Sequence, residues 1–208
     1  MKSKDELLIC HLNINSLKNK IFYLTNFLND NDIDILALSE TKICNAFLPT
    51  IDGYNMFHKD RTNKGGGVAI YVKNVLKATE INLDTSIQGI ELLTINVQLN
   101  FNKSFLITSL YRPKFFLTQD EIDCFENLLA NHSKKKHDFI ILGDFNIHFE
   151  SKDKKITKFR NMLERNNVFV MIKEPTRFNA CIDNILTTYS DSIVQSGILY
   201  PNLSDHDA

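Results

Sequence analysis

Phe139-Ile140-Ile141-Leu142-Gly143-Asp144-Phe145-Asn146 is an apolar run that ends at a glycine, followed by a carboxylate and a carboxamide one residue apart. The run reads as a strand. Side chains alternate along a strand, so Asp144 and Asn146 are expected to point the same way while Phe145 turns inward. That alternation places an acid beside a neutral hydrogen-bonding group at the mouth of a sheet.

Other segments lead to similar ends. Residues 7–12 read as a short buried strand that runs into Asn13. Ser16 is expected to cap a helix carrying Leu17, Ile21, Leu24 and Leu28 on one face, broken at Asp30-Asn31-Asp32. Residues 33–38 form a second strand ending in Ser39-Glu40-Thr41. Strand, helix, strand in this order implies a parallel pair with a helical crossover. Residues 53–59 and 68–72 read as strands joined by a turn at 63–67. Its glycine triplet lacks the Lys-Ser/Thr and the following helix of a phosphate-binding loop. Residues 90–99 and 105–111 are further strands, linked through Phe101-Asn102-Lys103. The second closes at Tyr111-Arg112-Pro113, where proline ends the ladder. Thr118 and Glu121 form a capping box for a helix with Ile122, Phe125, Leu128 and Leu129 on one face. Beyond the opening stretch come a helix over 155–165, a short strand over 168–171, a loop at 174–177, and last strands over 182–186 and 192–198. Hairpins with interspersed helices fit two packed sheets flanked by helices, an α/β protein.

The chain has 208 residues and no Pro/Gly/Ser-rich linker, so residues 1–208 are read as a single domain. A net charge of −1 excludes a strongly basic chain but not a local basic face. Lys134-Lys135-Lys136 and Lys152-Asp153-Lys154-Lys155 read as solvated loops. None of Cys10, Cys44, Cys124 and Cys181 forms a CxxC pair, which argues against a zinc knuckle and for a reduced, intracellular protein. There is no signal-peptide pattern, and no apolar run approaches the ~18 residues of a membrane span.

The polar groups at strand ends are Asn13, Glu40, Tyr111, Asp144 with Asn146, Asp183, and Asp205 with His206. Each alone has an ordinary explanation in a turn or a wet surface. As a set they suit metal-assisted phosphodiester hydrolysis. Glu40 is a hard oxygen ligand for Mg²⁺, and Asn13 can help hold it. Asp144 fits the acid that aligns and deprotonates a water. His206, Asn146 and Tyr111 are donors for a phosphate gaining charge. Asp183 is the candidate to orient His206. No nucleophilic Ser or Cys motif points to acyl transfer.

Leu12-Asn13-Ile14-Asn15-Ser16-Leu17, Leu38-Ser39-Glu40-Thr41, Gly65-Gly66-Gly67-Val68-Ala69, Leu110-Tyr111-Arg112-Pro113, Gly143-Asp144-Phe145-Asn146, Pro175-Thr176-Arg177-Phe178, Ile182-Asp183-Asn184-Ile185 and Ser204-Asp205-His206 follow one another in this order. In this the chain resembles the endonuclease/exonuclease/phosphatase superfamily. It is most similar to the apurinic-endonuclease-like domain of non-LTR (LINE-type, jockey/CR1-like) retrotransposons. The resemblance implies a DNase I-like four-layer α/β sandwich, two packed mixed β-sheets flanked by helices. It implies a Mg²⁺-dependent nick in duplex DNA, with Mn²⁺ as a possible substitute, that leaves a 3′-hydroxyl to prime reverse transcription. It places Asn13, Glu40 and Asp205 on the metal side, and Tyr111, Asp144 and Asn146 at the nucleophile and phosphate. Thr176 and Ser204 come near the substrate, Asp183 behind the histidine, and His206 on the scissile phosphate. The implied partners are a reverse transcriptase domain and the element's RNA, and the implied place of action is the nucleus, with no membrane involved.

The link Phe178-Asn179-Ala180-Cys181 is shorter than the family's usual one, and the family continues past His206 into one more strand. His206 is therefore expected to be poorly anchored and the terminus to fray, in an excised domain or a truncated relic. Two other functions remain open: a phosphoinositide or sphingomyelin phosphoesterase on the same scaffold, and an inactive nucleic-acid-binding domain.

Overall fold

The structure, a computed structural model, describes residues 6–43, 48–60, 65–82, 89–100, 103–134, 137–190 and 194–208. In chain order the elements are β1 (Ile9–Asn13), α1 (Ile21–Asp30), β2 (Ile35–Ser39), β3 (Tyr54–Lys59), β4 (Val68–Lys73), β5 (Lys77–Glu80), β6 (Glu91–Asn100) and β7 (Lys103–Tyr111). There follow α2 (Gln119–Lys134), β8 (Asp138–Asp144), α3 (Lys154–Arg165), β9 (Phe169–Val170) and β10 (Asp183–Thr187).

The strands form two mixed sheets, β1-β2-β4-β3 and β5-β6-β7-β8-β10-β9. β1 pairs with β2 in parallel, as the strand-helix-strand order predicts. β7 also runs parallel to β8, while β10 is antiparallel to β8.

Alternation along the strands sorts the apolar residues into three cores. Ile35, Ala37, Ile70, Val72, Ile95, Ile107, Ile140 and Leu142 fill the space between the sheets. The opposite faces of the same strands bury Leu36, Leu38 and Tyr71 with Leu24, Phe27 and Leu28 of α1. On the other sheet Leu106, Phe139 and Ile141 meet Phe125 and Leu128 of α2 and Phe159, Met162 and Leu163 of α3. Central strands buried on both faces must be apolar at every position, and this explains the unbroken Phe-Ile-Ile-Leu run of β8. The layers are helix, sheet, sheet, helix.

Several boundaries depart from the sequence reading. Ser16 does not cap α1. Asn15 and Ser16 have φ of +46° and +84°, and the N–H groups of Ser16 and Leu17 reach the Glu40 and Thr41 carbonyls at 2.7 and 2.9 Å. Tertiary pairing thus claims the first turn, and α1 starts at Ile21 without a side-chain cap. The capping box of α2 forms as read, with Thr118 N–H donating to Glu121 at 2.9 Å and Glu121 N–H to the Thr118 hydroxyl at 3.2 Å. β5, with its exposed Lys-Ala-Thr-Glu, carries little hydrophobic signal and was not expected from sequence. Residues 194–198 are not a strand. Residues 191–193, 63–64, 101–102, 135–136 and Cys44, which earlier readings include, lie outside the described residues. Among the described residues, no helix is long and apolar enough to cross a membrane.

Gly143 is required by strand spacing. A Cβ there would lie 2.1 Å from the Leu110 carbonyl oxygen on β7, a backbone atom that cannot swing aside. Gly143→Ala is therefore expected to push β8 from β7 and to cost about 2 kcal/mol or more. An unchanged midpoint in urea denaturation would contradict this account.

Candidate active site

The candidate site is where the core between the sheets stops being apolar. Ile9 packs toward the gap between the sheets, and alternation carries His11 and Asn13 to the same side. By the same count Ser39 follows Ile35 and Ala37 on β2, Tyr111 follows Ile107 on β7, and Asp144 follows Ile140 and Leu142 on β8. Asp183 precedes Ile185 on antiparallel β10. Registers then set these ends side by side: Asn13 opposite Ser39, Tyr111 opposite Asp144, and Asp144 opposite Asp183. Each residue is the last inward-facing position of its strand at one edge of the sandwich.

Hydrogen bonds join the two rows. Asn13 Nδ2 donates to Asp144 Oδ2 at 2.9 Å and to Glu40 Oε1 at 3.0 Å, bridging two carboxylates across the sheets. Glu40 stands off the end of β2 with φ +52°. Its loop is held by the Thr41 and Lys42 N–H groups, which donate to the Gly67 and Gly66 carbonyls at 3.2 and 2.8 Å. Tyr111 faces Glu40 closely enough for that carboxylate to add to the rise of its pKa. Asp183 Oδ2 accepts from Thr176 Oγ1 at 2.7 Å and lies 2.8 Å from His206 Nδ1. The donor atoms of Asp144, Asp183 and His206 all fall within 4.8 Å of one another.

Burial pushes the Asp144 carboxyl up to about 7, and the nearby charge of Asp183 adds to the rise. His206, Asn13 and the Asn146 N–H oppose it. For His206, burial disfavours the charged ring, but the hydrogen bond and charge of Asp183 outweigh it and its pKa rises. The Tyr111 phenol is held protonated by burial and by Glu40. Asp183 Oδ1 is buried without a hydrogen bond. Two crowded carboxylates with an orphaned oxygen fit a divalent cation, which prefers hard oxygen donors.

The sequence-read residues are not all placed as alternation suggested. Asn146 has φ +49°, so the strand pattern ends at Asp144. Its N–H donates to Asp144 Oδ1 at 3.0 Å, and its Nδ2 to the Arg112 carbonyl at 2.8 Å. It braces the acid instead of standing parallel to it. Asp205 is not in the three-residue group: Arg177 Nε and Nη2 donate to its Oδ2 at 2.9 and 2.6 Å. Asn13 presents its amide nitrogen, not its oxygen, to the carboxylates.

The expected fraying is corrected as well. His206 is buried. The Ser204 hydroxyl donates to the Asn13 carbonyl at 2.6 Å and accepts from the His206 N–H at 3.1 Å. Asp207 N–H donates to the Thr176 carbonyl at 2.7 Å, and Leu199 and Ala208 exchange backbone bonds at 2.7 and 2.9 Å.

Two residues escaped the sequence reading. His11, inside an apolar run, places Nδ1 3.6 Å from Asp183 Oδ1 and Nε2 3.2 Å from the Ser39 hydroxyl. Burial lowers its pKa to about 4, so it flanks Asp183 as a neutral ring opposite His206. Arg112, fully buried, ties the link after β7 to the residues after β8. The period-two signal on β1 could have singled out His11, which shares a face with Asn13.

A model of the endonuclease/exonuclease/phosphatase family matches residues 10–206. The chain belongs to that family. Members of the endonuclease/exonuclease/phosphatase family are hydrolytic nucleases and phosphatases, typically dependent on a divalent metal. No curated protein matches the chain in sequence. Solved structures share the fold at low identity. The endonuclease domain of TRAS1, a telomere-specific non-LTR retrotransposon, superposes with a TM-score of 0.73 at 15% identity, over 95% of this chain and 93% of that one. The 3′-5′ exonuclease NExo from Neisseria meningitidis gives 0.69 at 18% identity, over 86% of each chain. D. rerio TDP2, complexed with a single-strand DNA product, gives 0.68 at 13% identity, over 98% of this chain and 97% of that one.

The raised Asp144 pKa carries a sign. The native state binds this proton more tightly than the unfolded state, so Asp144 opposes folding increasingly from pH ~4 to ~7 and steadily above that. The lowered pKa of His11 acts the other way below pH ~6.5, destabilising the native state as the medium is acidified. Measuring Asp144→Asn against the wild type isolates the first effect. In EDTA the variant's advantage in melting temperature is expected to grow between pH 4 and 7 and then level off. Adding Mg²⁺ at pH 8 is expected to stabilise the wild type far more than the variant. A pH-independent difference would contradict this electrostatic account.

Proposed function

We propose that the chain is a divalent-metal-dependent endonuclease that nicks duplex DNA for a non-LTR retrotransposon. The observation carrying this reading is one buried network in which Asn13 joins Glu40 to Asp144 while Asp183 holds both Thr176 and His206. Such a network offers a proton acceptor, Asp144, and a hydrogen-bond donor, His206, within reach of one phosphate.

Asp144, with a pKa near neutrality, accepts a proton from water as the water oxygen bonds to phosphorus. Asn146 and Asn13 hold the two oxygens of that carboxylate. His206 uses Nδ1 on Asp183, which leaves Nε2 to donate to a phosphate oxygen gaining charge. The neutral Tyr111 hydroxyl adds a donor at the same mouth. The P–O3′ bond breaks, and O3′ takes up a proton from solvent to become the 3′-hydroxyl of the nicked strand, with phosphate left on the 5′ side. Glu40, Asp144 and the unbonded Oδ1 of Asp183 would hold Mg²⁺, or Mn²⁺ in its place, with Asn13 fixing the first two carboxylates through its amide N–H groups, and an ion bound there would supply Lewis-acid stabilisation of phosphate oxygens. The order of motifs along the chain and the fold shared with the TRAS1 endonuclease domain support the retrotransposon setting. In that setting the partners are duplex DNA, a reverse transcriptase domain and the element's RNA, and the work is done in the nucleus.

Supercoiled plasmid with Mg²⁺ is expected to give open circles whose ends a DNA polymerase extends. Asp144→Asn and His206→Ala are each expected to slow nicking by about 100-fold or more. Full activity in either variant would overturn the assignment of roles. Phosphate or phosphocholine released from phosphoinositide or sphingomyelin, without nicking, would favour the lipid phosphoesterase. Salt-sensitive DNA binding without cleavage under any divalent metal would mark an inactive binding domain.

A further inference from the structure

Two phenylalanine rings in the link that follows Tyr111 belong to none of the cores formed by the described residues. Phe115 and Phe116 are 74% and 87% exposed in the link between β7 and α2. The link is firmly held from beneath. Arg112, with no exposed surface, donates Nη1 to the Lys114 and Phe145 carbonyls, the latter at 3.0 Å. Its Nη2 donates to the Phe116 carbonyl at 2.7 Å and to Glu121 at 3.1 Å. Buried Leu117 and the capping box close the far side. The carbonyls of Lys114 and Phe116 are thus tied inward while both rings stay in solvent.

The same link is bonded to the catalytic strand. Arg112 N–H donates to the Asp144 carbonyl at 2.9 Å, and Asn146 Nδ2 to the Arg112 carbonyl at 2.8 Å. From Arg112 to Phe115 is three residues, at most ~11 Å of chain. Successive nucleotides of one strand rise ~3.4 Å along a duplex. Arg112 lies one strand spacing, ~4.8 Å, from Asp144, so a strand whose phosphate sits at Asp144 and His206 passes the backbone carrying the two rings within about five base steps.

We propose that Phe115 and Phe116 form an apolar wedge that stacks on, or enters between, base pairs beside the phosphate being cut. The inference rests on the duplex-DNA reading above and names the element that grips the bases. Phenyl rings are suited to it. Apolar side chains pushed between base steps unstack them and bend the duplex, and stacking one base on an aromatic ring is worth ~1–3 kcal/mol. A rigid wedge loses little conformational entropy on binding. Unstacking is easiest at pyrimidine–purine steps, so the wedge also confers a preference for nicking near TA and CA/TG steps.

A second exposed aromatic pair serves as the control. Phe22 and Tyr23 on α1 are 70% and 59% exposed with ring centroids 5.6 Å apart, and no bond ties them to the site. Binding is measured in EDTA with a duplex carrying 2-aminopurine at a TA step, and nicking separately with Mg²⁺. Phe115→Ala/Phe116→Ala is expected to weaken binding by about 10- to 100-fold and to abolish the 2-aminopurine brightening of an unstacked base. Phe115→Trp/Phe116→Trp is expected to keep both, and Phe22→Ala/Tyr23→Ala to match the wild type. If the wild type nicks DNA and the double alanine variant binds and brightens the duplex equally well, the wedge is wrong and the nuclease reading stands. If the wild type neither nicks nor binds DNA, both fall. If the alanine pair changes only self-association or vesicle binding, the rings serve another partner and the wedge is overturned.

Discussion

Two carboxylates face each other across neighbouring strands, Asp144 on β8 and Asp183 on β10, both almost wholly buried. Like charges directly opposite in a sheet repel, and burial makes each charge costly. Much of the surrounding structure answers this one conflict. Asn13 and the Asn146 N–H donate to Asp144. Thr176 donates to Asp183, and two histidines flank it, His206 with its pKa raised by the contact and His11 with its pKa lowered by burial. A hydrolytic site needs such a conflict, because an acid in comfortable surroundings would hold neither a proton nor a cation near neutral pH. The crowding that weakens the fold is what lifts the Asp144 pKa to about 7, where the proposed proton transfer needs it.

The sequence is legible where one physical rule decides the outcome. The buried strands, the capping box at Thr118 and the strand-end polar groups all follow from period-two alternation and local hydrogen bonding. It is silent where tertiary contacts decide. Ser16 looks like a helix cap until the Glu40 and Thr41 carbonyls claim the neighbouring N–H groups. Asn146 looks like a phosphate donor parallel to Asp144 until a left-handed backbone turns it into a brace. Asp205 sits in a motif read as catalytic, yet its carboxylate pairs with Arg177. His11 looks like an interruption in an apolar strand, and only the opposing sheet gives it a function.

Arg112 shows the same dependence from the other side. In sequence it is one basic residue before a proline. In the fold its guanidinium gathers carbonyls from two loops and one carboxylate, with no exposed surface. A planar fork of five donors can serve several acceptors at once, and lysine could not replace it. The loop carrying Phe115 and Phe116 and the turn carrying Asn146 thus move as one body, so whatever the rings grip is indexed to Asp144.

The Ser204 hydroxyl bonded to the Asn13 carbonyl joins residues 191 positions apart, and the Asn13–Asp144 bond spans 131. Contacts so distant in sequence form late in folding, because their loop-closure entropy is met only after nearer contacts have condensed. As the chain leaves the ribosome, the sheets and helices can form from their own segments while His206, the proposed donor, is still unmade. A nascent or partly folded chain therefore carries no working centre. If the proposed nicking of DNA is its work, the topology itself delays that work until folding is complete.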